Sequence, residues 1–299
     1  MTELTRFDKL AQLPMKVLSG DKKPRSSLAS VREVFSRREM LGLLVRRDLK
    51  SRYKDSVLGF TWTLIRPLIQ LLIYYVVIGK FMSAERGIPN FAIYVFAGLT
   101  AYGYFSEMIS SSTSSILNNA GLVKKIYMPR EVFPLAAVGS ATFNFLMQFV
   151  ILIAATLIAR NFPLTPDVVY LIPSVLILLV YGMALGLLFS ALNVYLRDIQ
   201  YLVEVVLLLM LWASPIVYSW EMVKKAIGDS LLLEIYTDNP VTLAVLGFQR
   251  AIWIAGHNVV AYPDNLMPRM LVALVIGIIG LILAQRVFSR LQGNFAQEV

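Results

Sequence analysis

The chain has 299 residues, 57% of them hydrophobic and only 16% charged, with a mean hydropathy of +0.66. Soluble domains carry about a quarter charged residues, so this composition excludes them and indicates a polytopic membrane protein. The formal charge of +9 does not point to nucleic acid: half of the 28 Lys and Arg lie in residues 1–56, ahead of the first apolar run, and in a membrane protein that asymmetry reports orientation. Cysteine is absent, which rules out disulfides, thiolate metal sites and a cysteine nucleophile within the chain.

In chain order, residues 1–30 lack the apolar core and small-residue cleavage site of a signal peptide and read as a disordered cytoplasmic tail. An amphipathic interfacial helix is predicted over 33–56. Leu44, Val45, Leu49 and Tyr53 fall on one side of it and Arg46, Arg47, Lys50 and Lys54 on the other, the pattern of a helix lying on a membrane surface. Asp48 and Arg52 interrupt the apolar side at i, i+4 spacing, where they can pair, so that face is expected to meet protein as well as lipid. Apolar runs then predict six spans, near 60–82, 91–116, 132–159, 169–195, 199–219 and 266–288.

Residues 220–256 are too interrupted by Gly228, Pro240, Gly247, Gln249 and Arg250 to cross a bilayer. They read as two short helices, 220–233 and 240–255, that enter one leaflet and return. The fold class is therefore all-α: a single transmembrane domain over 31–291, followed by a cytoplasmic tail, 292–299. With the N-terminus inside, 20 Lys and Arg fall in cytoplasmic segments against seven on the other side, which places both termini in the cytoplasm.

Charges within spans are costly, about 2.5 to 3.5 kcal/mol at the bilayer centre even on lenient scales, and so draw attention to Arg66, Glu107 and Glu204. Arg66 either snorkels to the inner headgroups or holds the diphosphate of a lipid-linked substrate, for which a guanidinium fork is suited. Arg197 and Glu204 are grouped with it as a lipid-diphosphate site or inner gate, Glu204 lining a cavity or pairing with a neighbouring span. Glu107 sits among Ser106, Ser110, Ser111, Ser112, Ser114 and Ser115, a half-span so polar that it faces water or packs against protein through small residues. Trp62, Tyr74, Tyr75 and Trp212 are either interfacial anchors or flat faces over which sugar rings slide. His257, the only histidine, has no acidic neighbour in sequence and reads as solvated.

Five blocks carry a family resemblance: RRDLKSRYKDSVLGFTWTLIRPLIQ, GLVKKIYMPREVFPLA from Gly121, NVYLRDIQYL from Asn193, ASPIVYS from Ala213 and NPVTLAVLGFQRAIW from Asn239. Together, over roughly residues 38–291, they resemble the membrane subunit of ABC polysaccharide exporters of the O-antigen and wall teichoic acid type. The resemblance implies a homodimer with two separate ATPase subunits, moving a lipid-linked polysaccharide across the bacterial plasma membrane. It implies a coupling helix over 119–130 that presents Leu122, Lys124, Lys125, Tyr127, Pro129 and Arg130 to the ATPase; read from residue types alone, its lysines and arginine are equally positive-inside anchors. It further implies that Arg46, Arg47, Asp48, Lys50 and Arg52 of the interfacial helix share that docking surface, that the aromatics line a channel, and that an outer gate uses Pro215, Tyr218, Pro240 and Arg250. No G-x-x-x-x-G-K-[ST] loop occurs, so ATP and Mg²⁺ belong on the partner, with no cofactor, metal site or catalytic residue in this chain. Three rivals stay open at this stage. They are an ABC permease for a small drug or lipid, a membrane-embedded polyprenyl-phosphate glyco- or phosphotransferase, and a proton-coupled secondary transporter.

Overall fold

The computed structural model describes residues 38–53, 61–81, 87–125, 128–160, 162–257 and 259–299, and every regular element among them is helical. The tail expected over 1–30 lies outside the described residues. Helix α1 (Arg38–Tyr53) falls on the segment expected to be interfacial. Helix α2 (Trp62–Ile73) loses its α register at Tyr74 and continues as a π-helix to Phe81. Helix α3 (Phe91–Asn118) has 28 residues, about 42 Å at 1.5 Å per residue. The short α4 (Ala120–Lys125) follows at once, then α5 (Val132–Ile158), α6 (Leu171–Tyr195) and α7 (Ile199–Trp212).

The stretch expected to fold as two short helices is three. Gly228 takes φ +64°, a left-handed conformation that favours glycine, and ends α8 (Trp220–Ile227). Ser230 then starts α9 (Leu231–Thr237) by accepting the Leu233 N–H, and Asn239 with Pro240 at the first helical position starts α10 (Pro240–Ile252). The last long helix, α11 (Leu266–Leu291), runs into a 3₁₀ turn and a final short helix α12 (Phe295–Glu298).

Helix α3 is the axis, packed on α5, α6, α7 and α10, while α6 packs on α10 and α11. Close approach of α3 and α6 depends on small residues: a Cβ on Gly186 would lie 2.9 Å from the Ser112 Cβ. Gly186→Ala is therefore expected to destabilise the fold by about 1–3 kcal/mol, read as a lower thermal midpoint of the detergent-solubilised protein. Apolar side chains form two clusters. The larger surrounds the first half of α3 and all of α10, with Phe91, Phe96, Phe248 and Trp253 fully buried. The smaller, at the other end, joins Leu44, Ile116, Val123, Phe133, Phe288 and Phe295.

Among the described residues, three helical stretches are long and apolar enough to cross a membrane: Val132–Ile158, Pro166–Tyr195 and Leu266–Asn294. Shorter apolar stretches are Pro67–Phe81, Ile199–Trp212 and Pro240–Ile252, of which the last is buried among its neighbours. The run expected to span 199–219 stays helical only to Trp212, and residues 213–219 form a turn. Leu202, Val205, Leu208 and Leu209 on α7, and Leu72 and Ile73 on α2, expose apolar surface of a size that marks contact with lipid or another chain.

Candidate functional site

The hydroxyls of α3 divide between two faces. Ser112, Thr113 and Ser115 are buried and satisfied by backbone carbonyls, Ser112 by Pro134 of α5 and the other two within α3. Ser106, Ser110, Ser111 and Ser114 instead line open space. Ser115, although buried, borders the same space.

That open space is a groove of two chambers that share Ser111. One, of about 430 Å³, lies where α1, α3 and α5 meet, lined by Arg47, Asp48, Ser51, Ser114, Asn118, Asn119 and Ser140. The other, of about 480 Å³, runs further along α3 against α2 and α7, lined by Gln70, Tyr102, Ser106, Glu107, Glu204 and Leu208. The Asn144 side-chain amide donates to Glu107 Oε1 at 2.7 Å, and the Tyr102 hydroxyl donates to the Leu207 carbonyl, which ties α3 to α7. Glu204, exposed on α7, faces the same chamber as Glu107. The arrangement supplies hydroxyl and amide groups that donate and accept, two carboxylates, and apolar walls: chemistry suited to polyhydroxyl compounds.

Residues expected to act together are in part dispersed. Arg197 is exposed in the turn between α6 and α7 and does not line the groove, and the Arg66 side chain lies outside the described residues. Trp62 and Trp212 are 40% and 52% exposed, whereas Tyr74 and Tyr75 are half-buried against the larger apolar cluster, with the Lys80 ammonium 5.3 Å from the Tyr75 ring centre.

At the α4 end, Lys124 and Lys125 are exposed, Val123 is 1% exposed beneath them, and Leu122 packs on the smaller cluster. Arg130 donates to the Met128 carbonyl at 2.7 Å and so braces the turn around Pro129; Tyr127 lies outside the described residues. Arg46 and Lys50 are exposed on α1. Asp48 accepts from its neighbour Arg47 at 2.7 Å, and Arg47 also donates to Asn119 Oδ1 at 2.6 Å, which stitches α1 to the start of α4. The expected partner of Asp48, Arg52, has its side chain outside the described residues. Asn119 opens the segment expected to be the coupling helix, but its bond to Arg47 joins positions 72 apart and leaves no local signal.

At the opposite end, the turn over 213–219 is pinned from behind. The Tyr94 hydroxyl lies 2.9 Å from the Pro215 carbonyl and 2.8 Å from that of Tyr218, and Gln249 Nε2 donates to Pro215 at 2.9 Å. Tyr218 donates to the Trp212 carbonyl at 2.7 Å. Pro240 is half-buried at the start of α10.

Arg250, at the end of α10, donates from Nε to Asp167 at 3.1 Å, with the Tyr170 and Tyr262 ring centres 4.5 and 5.6 Å from its guanidinium. His257 is not solvated: it is half-buried, with Nδ1 3.3 Å from the other Asp167 oxygen and Nε2 2.8 Å from the Arg250 carbonyl. An acidic partner 90 positions earlier in the chain leaves no local signal.

A bundle of apolar helices holding a polar groove, with a basic short helix at one end, defines a membrane transport subunit. The chain belongs to the ABC-2 type transporter family, whose model matches residues 39–253. Among similar proteins are O-antigen export system permease proteins RfbA. That of Myxococcus xanthus is 30% identical over 90% of this chain and 98% of its own length. One from Klebsiella pneumoniae is 28% identical over 87% and 94%. The polysialic acid transport protein KpsM of Escherichia coli is 21% identical over 63% of this chain and 73% of its own.

Proposed function

We propose that the chain is the transmembrane subunit of an ATP-driven exporter that moves a lipid-linked polysaccharide across the bacterial plasma membrane, working as a homodimer with two ATPase subunits. Both termini and α4 face the cytoplasm, six segments cross the bilayer, and α8–α10 form the far-side gate. The observation that carries this reading is the two-chambered groove. Its hydroxyl face begins beside the interfacial helix and continues along α3, so a glycan whose lipid stays at the inner leaflet meets hydroxyls and amides rather than hydrocarbon. The names of the relatives support the cargo class, and family membership supports the ATPase partner.

In this reading α4 takes up the motion of the ATPases through Lys124 and Lys125. The exposed apolar faces of α2 and α7 meet the second copy, which closes the open side of the groove. The test is affinity purification of the tagged chain from a mild-detergent extract of its own cells, together with deletion of its gene. Expected are a stoichiometric Walker-motif ATPase in the eluate and loss of a surface polysaccharide with its lipid-linked precursor retained inside. An eluate without an ATPase would overturn the proposal.

A further inference from the structure

The C-terminal residues carry a feature that neither the groove nor the basic helix uses. Phe295, in a polar sequence five residues from the end, is fully buried. Its ring lies 5.5 Å from that of Phe288 on α11 and 6.1 Å from that of Tyr195 at the end of α6, both edge-on. Helix α12 packs directly on α4 and on α6. Polar contacts hold the same return: Tyr195 donates to the Leu291 carbonyl at 2.8 Å. Gln292 and Gln285 donate from Nε2 to Glu131 Oε1 at 3.2 and 3.3 Å, and Glu131 itself is 2% exposed. Glu131 caps the start of α5, so the tail holds α4 through the packing of α12 on it and holds the start of α5 through Gln292.

We propose that residues 292–299 are a positioning latch that makes α4 and the last long helix, α11, move as one body, with Phe295 as its wedge. The physical reason is close packing. A buried aromatic ring held edge-on between α6 and α11, on a helix that itself packs on α4, has no slack, so displacement of α4 is transmitted rather than absorbed. The other side of α4 is stitched to α1 by the Arg47 to Asn119 bond, so the short helix is clamped between the interfacial helix and the end of the chain. Without the tail, an ATPase still docks on the exposed lysines, but its motion is lost before it reaches α11. This inference rests on the reading of α4 as the ATPase docking element.

The test uses the full complex with its own ATPase subunit, and compares wild type, Phe295→Ala, Phe295→Leu and deletion of residues 292–299. Expected for Phe295→Ala and the deletion are ATPase association and ATP hydrolysis within about threefold of wild type, with export per ATP hydrolysed reduced about tenfold or more, the range of ordinary inter-site coupling. Phe295→Leu, which keeps an apolar wedge, is expected to recover most of the export. Loss of assembly would signal a merely structural role; that outcome, or normal export per ATP in Phe295→Ala, overturns the latch. A separate arm tests the underlying reading: if Lys124→Glu with Lys125→Glu binds the ATPase as well as wild type does, α4 is not the docking element and the latch falls with it.

Discussion

Ser111→Phe is expected to abolish polysaccharide export while leaving the protein expressed, assembled and associated with its ATPase. Ser111 lines both chambers, so a benzyl group there intrudes on spaces of about 430 and 480 Å³ without entering the packed side of α3. The neighbouring substitution Ser112→Phe has the opposite signature. Ser112 is fully buried against Gly186, whose own Cβ position is only 2.9 Å away, and a large ring there is expected to cost several kcal/mol and prevent accumulation of the folded chain. Surface polysaccharide measured beside membrane protein level separates the two. Equal expression of both variants, or normal export by Ser111→Phe, would refute the division of α3 into a groove face and a packing face.

The second large effect concerns charge. Lys124 and Lys125 are exposed in the last turn of a six-residue helix. Reversing both with Lys124→Glu and Lys125→Glu is expected to weaken ATPase association by roughly 10 to 100-fold, as rim charges of an interface do, with the loss growing as salt is lowered. Because neither lysine is buried, the folding stability of the isolated chain should change by no more than the amount typical of surface changes, about 0.5 kcal/mol. Co-purification at two salt concentrations checks both statements. Unchanged association would return the lysines to the alternative of simple membrane-side anchors.

Legibility of the fold varied along the chain for reasons that particular residues show. The interfacial helix was readable because Leu44, Val45 and Leu49 repeat at helical spacing against Arg46, Arg47 and Lys50, and Leu44 is buried as that face requires. The faces of α3 follow from the same geometry: Ser106, Ser110 and Ser114 recur every fourth residue and line the groove, while Ser112 falls on the far side and is buried. Helix α10 was harder. Its apolar residues lie all round the helix, a pattern shared by a lipid-inserted segment and a protein-buried one; burial of Val241 through Gln249 by α3 and α6 decides for the second. The break between α8 and α9 turns on the positive φ of Gly228, which composition only hints at.

The candidate sites divide in the same way. By itself the sequence determined that this is a membrane permease without a phosphate loop, that half of its Lys and Arg precede the first apolar run, and which blocks tie it to its family, because hydropathy, charge and motif spacing are properties of the chain read locally. Only the tertiary structure decided that Glu107 and Glu204 share one chamber and that Arg197 stands apart from it. It alone brought Asp167 to Arg250 and His257, and returned α12 to α4. Those contacts join residues tens to more than a hundred positions apart. The free energy that places them comes from packing whole helices together, and no window of sequence carries it.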